Sequence, residues 1–161
     1  MTEPKLKVDA HDGSDTHARR SLSDNKLRHV RAVAETMRET ALANGMDADD
    51  ADQMYLLELV HDVGYVCGAT GHAQAGARML ALSGYAYSEE VRLHGRPVEH
   101  PSQALLMLWH ADMSCDWQGR RVSYEERLKG VMERYGADSE QVRNAKGIIK
   151  MLEEMRELRL A

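Results

Sequence analysis

Apolar residues recur at intervals of three and four along most of this chain, a period that fits an α-helix buried on one side. Val30, Val33, Ala34, Met37 and Ala41, led by Leu27, fall on one helical face, and Met54, Leu57 and Val60 repeat the pattern further on. The composition agrees: three prolines, no phenylalanine and abundant Ala, Leu, Met, Glu and Arg favour helices over strands. With 161 residues the chain is long enough for one hydrophobic core. The expected fold is an all-α, single-domain helical bundle.

Capping and breaking residues divide the pattern into seven helices. Ser21 or Ser23 caps a first helix reaching about Asn44, and Gly45 ends it. Asp47 caps a second, which stops between His61 and Gly64. Gly64, Gly68 and Gly71 read as turns before a third helix over about 73–82, which Gly84 stops. A short fourth covers about 87–95. Pro101 fits the first turn of a fifth that reaches about Met113, and two more run over about 123–135 and 139–160. Residues 1–20 are polar and charged and read as an N-terminal arm, leaving 21–161 as the helical domain.

Several function classes are disfavoured at once. A net charge of −5 offers no basic stripe for a nucleic-acid polymer or an anionic membrane surface. Two cysteines, Cys67 and Cys115, cannot make a disulfide framework and suit a reducing compartment. No apolar run approaches a membrane span or the core of a signal peptide, so a cytoplasmic location is expected.

The histidines are placed where a bundle would turn them inward. His29 lies seven positions after Leu22 and four before Val33; His61 lies seven after Met54 and four after Leu57; His72 lies four before Gly76 and seven before Met79. Asp112 follows Leu105 and Trp109 at helical spacing, which points a carboxylate into the core. An unpaired buried carboxylate costs several kcal/mol or takes up a proton, and a bound cation removes that cost. Taken singly, an inward histidine is ordinarily a hydrogen-bonded core residue, and Asp112 could instead cap a helix or pair with Arg28 or Arg127. Taken together, the nitrogen and carboxylate donors suit iron, manganese, cobalt, zinc or nickel, and the lack of any CxxC pair excludes a structural thiolate zinc site. His61 and Asp62 are neighbours, yet at a helix end two such side chains can converge on one ion. His110, two residues from Asp112, faces another way, while His11 and His17 belong to the polar arm.

This order of residues resembles the HD-domain superfamily of metal-dependent phosphohydrolases. It is carried by an isolated histidine in Arg28-His29-Val30, a His-Asp pair in Leu59-Val60-His61-Asp62-Val63-Gly64-Tyr65, and a distant aspartate in His110-Ala111-Asp112-Met113, over about residues 22–135. The resemblance implies that His29, His61, Asp62 and Asp112 bind one metal. Members with two metals add two histidines, the first followed by a glycine four residues on, and here His72 with Gly76 fits that description. His94 is the choice for the second, with His100 as its competitor. On this pattern Asp62 bridges two divalent transition-metal ions, iron or manganese first, with cobalt, nickel or zinc as alternatives.

The implied activity is hydrolysis of a phosphoester in a nucleotide or another small phosphorylated metabolite, with Asp62, His72 and His94 as the catalytic candidates. Tyr65 stands where many members carry lysine, and would pack or hydrogen-bond substrate. Arg92 and Arg96 flank His94 and either neutralise a phosphate or stand exposed. A mixed-valence diiron oxygenase and a non-catalytic ligand-binding HD domain are the alternatives within the same superfamily. The oligomeric state is left open, a homodimer included.

Overall fold

The computed structural model of the chain describes residues 24–68 and 71–156. The arm at 1–20, with His11 and His17, lies outside the described residues, as do both proposed caps of the first helix and positions 157–160 of the last. Seven α-helices are present among the described residues: α1 (Asp24–Ala43), α2 (Ala48–His61), α3 (His72–Leu82), α4 (Ser88–Leu93), α5 (Gln103–Met113), α6 (Tyr124–Tyr135) and α7 (Glu140–Arg156). There is no strand among them, and the architecture is the all-α bundle expected from the periodicity. No described helix is long and apolar enough to cross a membrane.

Local chemistry sets most of the boundaries. Asp47 caps α2 by accepting from the Asp50 backbone N–H, and Ser123 begins α6 with a reciprocal capping box to Glu126. Pro101 does not sit in the first turn of α5. Ser102 is the cap there, its hydroxyl accepting from Leu105 N at 3.1 Å, so the proline precedes the cap and restricts His100 instead.

Helix α5 forms the centre of the bundle. Ala104 through Trp109 are all buried, as are Ala111 and Met113, so the helix is apolar nearly all round. It packs against α1, α2, α4, α6 and α7. Val33, Met37 and Ala41 of α1 and Met54 and Leu57 of α2 close around it. The stripes fail at their margins, where Leu27 and Met79 are 39% and 42% exposed.

One backbone contact governs where α3 lies. Between α2 and α3 a 3-10 turn (Val63–Cys67) folds back so that Gly64 meets the start of α3. A Cβ on Gly64 would stand 1.8 Å from the His72 carbonyl oxygen and 2.5 Å from Gly76 N, and one on Gly76 would stand 2.9 Å from Gly64 N. Gly64 is thus required for close approach and not, as the sequence suggested, for a turn. Gly71, with φ +71, supplies the left-handed residue that starts α3. Gly64→Ala is expected to destabilise the fold by ~3 kcal/mol or more, because backbone and not a flexible side chain must move. Gly130→Ala in α6, with nothing within 4 Å of its Cβ, should instead stabilise by up to ~1 kcal/mol. Urea denaturation of the two variants measures both.

Candidate metal centre

The end of α2 is where the site begins. His61 is the last helical residue, and Asp62 leaves the helix with φ −98 and ψ 9. The two neighbouring side chains therefore converge, with His61 Nε2 3.5 Å from Asp62 Oδ1. The Gly64–Gly76 contact brings the first residue of α3 beside them, and His72 Nε2 lies 3.4 Å from the same oxygen. His94, just past α4, places its Nε2 3.6 Å away. Three imidazoles from three segments thus surround one carboxylate oxygen.

His29 and Asp112 form a second pair, from α1 and α5, with Nε2 and Oδ1 3.1 Å apart. Among the described residues this pair does not join a group of three donors within 4.8 Å of one another, although His61 is one of the charges that depress Asp112. Of the competing candidates, His100 is exposed at the turn before α5, and His110 is hydrogen-bonded to the Tyr124 hydroxyl at 2.6 Å. Arg92 is tied to Glu89 on the surface, and Arg96 is exposed.

Three of the four imidazoles are held from behind. Nδ1 of His29 lies 2.7 Å from the Asp116 carbonyl, that of His61 2.6 Å from the Glu58 carbonyl, and that of His94 2.6 Å from the Val91 carbonyl. A carbonyl only accepts, so each Nδ1 carries the proton and each Nε2 presents either a lone pair or a second proton to a carboxylate oxygen. This is the tautomer metal ligands use. The spacing also fits: ligand atoms ~2.1 Å from an ion in a tetrahedron are ~3.4 Å apart. His61, Asp62 and His94, whose donor atoms all lie within 4.8 Å of one another, could hold a metal ion.

Of the supporting groups, sequence reasoning gave a role to Arg127 and Tyr65 but not to Trp109 or Glu58. The Trp109 indole N–H donates to the His94 carbonyl at 2.8 Å, fixing the backbone that carries the ring. Arg127, one of two arginines considered for Asp112, donates to both its carbonyl (3.1 Å) and its Oδ1 (3.0 Å). Tyr65 stacks on His72, with ring centroids 4.0 Å apart and planes 18° from parallel. Glu58 was missed altogether: it is fully buried on α2, with Oε1 3.1 Å from His61 Nδ1. Its one signal in the sequence is that it stands beside Leu57, on the apolar face, three residues before His61.

The charges are strongly coupled. Burial opposes ionisation of Asp112, but Arg127 and His29 outweigh it and hold the carboxyl well below its usual range. Burial likewise disfavours charge on His61, but Glu58 and Asp62 overcome it and raise its pKa. Glu58 itself is raised by burial, with His61 pulling the other way. The Tyr65 hydroxyl is pushed up to about 12 by burial and by Asp62, so it stays protonated. His94 is lowered to about 4 by burial and by His61.

Comparison of the chain with protein-family models, curated proteins and solved structures returns no match. The site is therefore read from its own chemistry.

A titration tests the environment of His94. Its folded pKa lies below the unfolded value of 6.5, so its contribution to stability is complete above 6.5 and is lost as the pH falls through about 4. In NMR spectra of the metal-free protein its ring signals should show a neutral imidazole down to about pH 4. A midpoint near 6.5 would show that the ring is solvated.

Proposed function

We propose that this chain is a metal-dependent phosphohydrolase of the HD-domain type, acting on a phosphoester of a nucleotide or small phosphorylated metabolite. The observation that carries the reading is the placement of Asp62 Oδ1 at 3.4–3.6 Å from the Nε2 atoms of His61, His72 and His94. A hydrogen-bonding role does not account for His94: its proton is on Nδ1, directed to the Val91 carbonyl, and the ring is neutral above about pH 4, so Nε2 turns a lone pair toward a carboxylate oxygen. A cation between them relieves that repulsion.

In this reading His29, His61, Asp62 and Asp112 would hold one divalent ion, and Asp62, His72 and His94 would hold the other. Bound there, the two ions would supply a water ionised near neutral pH and offset the charge of a phosphoryl group. The chain's own groups do the positioning. Arg127 and His29 hold Asp112 in its anionic form, and the carbonyls of Asp116, Glu58 and Val91 keep three ring nitrogens turned toward the centre. Tyr65, still protonated at neutral pH and stacked on His72, would in this reading donate a hydrogen bond to a substrate oxygen. His72 and His94 are the candidates for moving a proton if only one ion is bound.

Elemental analysis of purified protein should find close to two transition-metal ions per chain, iron or manganese foremost. A single ion that does not rise on reconstitution would reject the binuclear version. The metal-loaded protein should turn over at least one compound in a panel of phosphomonoesters, phosphodiesters and nucleotides, and Asp62→Asn should lower that rate by more than ~100-fold, beyond the loss typical of a supporting residue. Inertness of the loaded protein to the whole panel would sink the hydrolase reading.

The choice between two histidines has its own test. His94→Ala should bring metal content toward one ion per chain, and His100→Ala should leave it unchanged. The opposite result would give the second position to His100.

A further inference from the structure

Glu58 is costly to keep where it is. Its side chain is completely buried on the core face of α2, next to Leu57, and neither carboxylate oxygen accepts a hydrogen bond of good geometry. No lysine or arginine pairs with it among the described residues. The charged groups that act on it include His61, Asp112 and His29, all members of the candidate metal centre, and it acts in turn on the buried Cys115 thiol. An apolar residue would pack at this position without the penalty of an orphaned carboxylate. A residue that raises the cost of folding and sets its carboxylate 3.1 Å from a proposed ligand is explained by the site.

Its geometry toward His61 says how. Oε1 lies 3.1 Å from Nδ1, on the side of the ring opposite to the nitrogen that meets Asp62. The Nδ1 proton is already directed to the Glu58 carbonyl at 2.6 Å, so the main chain suffices to select the tautomer. What the carboxylate adds is negative charge against the back of the ring. Charge there makes the opposite nitrogen a stronger donor. We propose that Glu58 is a positioning residue that acts through His61, strengthening its Nε2 as a metal ligand. The inference rests on the metal-centre reading above.

The test is metal affinity, measured by calorimetry with Mn2+ and with Zn2+ on the full chain. Wild-type protein is titrated first. Absence of saturable binding there would overturn the metal reading and this inference with it, before any variant is made. Glu58→Gln keeps the shape and removes the charge. It should retain the helical circular dichroism, melt no lower than wild type when metal-free, and bind metal ~10–100-fold more weakly, the range seen when the outer partner of a ligating histidine is lost. Glu58→Asp, one methylene shorter, should recover part of the loss. A group that merely fills space would not separate affinity from melting temperature in this way, so wild-type affinity in folded Glu58→Gln would overturn the proposal. Should that variant fail to fold, Glu58→Leu replaces it, with the same weakening expected. A folded Glu58→Leu with wild-type affinity, or the unfolding of both variants, would show a structural residue and reject the role.

Discussion

Gly64 and Gly76 meet backbone to backbone, and the candidate site exists only because nothing larger than hydrogen stands between them. A Cβ on either would fall within 3 Å of the other's backbone nitrogen. That contact carries His72 to the oxygen of Asp62. Two further glycines act in the same manner elsewhere. Gly119, at φ +80, lies so close to α1 that a Cβ would stand 2.7 Å from the Arg28 carbonyl oxygen, and this seats the loop whose Asp116 carbonyl takes the His29 proton. Gly147 of α7 receives the ring of Pro97, with 2.9 Å from its Cβ position to the proline Cγ, and so clamps the segment that follows His94. Interiors packed at crystal-like density transmit such fits over a few residues, so these histidine-bearing segments are fixed by contacts that involve no imidazole ring.

This arrangement separates the work of placing a donor from the work of charging it. Placement comes from main-chain carbonyls, which hold one nitrogen of His29, His61 and His94 and leave the other turned toward a carboxylate. Charging comes from side chains. Arg127 keeps Asp112 ionised on one side of the site, and the buried Glu58 acts on His61 from behind. In a low-dielectric interior both effects are stronger than they would be at the surface, and neither asks a flexible side chain to find its place.

The residues legible in the sequence were those whose spacing marks a helical face. His29, His61, His72 and Asp112 lie in register with Leu, Val, Met and Trp, and the structure brings each toward a partner of opposite charge or acceptor character. Asp62 could be joined to His61 because a helix end permits adjacent side chains to converge. What stayed hidden has a common physical cause: it depends on how close two segments come, which one-dimensional spacing does not encode. Gly64 read as a turn because glycines usually are turns, whereas its φ is ordinary and its role is to lack a side chain. Pro101 read as a first-turn residue because Ser102 was not weighed as the cap. Glu58 drew no notice, since a glutamate on a charged amphipathic helix is ordinarily solvated.

The two carboxylates at the centre are treated differently by the fold, and the difference follows from where each sits. Asp112 projects from the most buried helix of the bundle, where an ionised group needs a permanent counter-charge to persist, and Arg127 provides one by gripping both its carbonyl and its Oδ1. Asp62 stands at a helix end, where three imidazoles face it. An arginine cannot give up its proton, but an imidazole can. Asp112 is therefore held anionic by a permanent charge, while the carboxylate of Asp62 faces side chains that can be neutral, as His94 is above about pH 4. A site built this way keeps one carboxylate as a fixed post and leaves the other without a permanent cation among these three imidazoles.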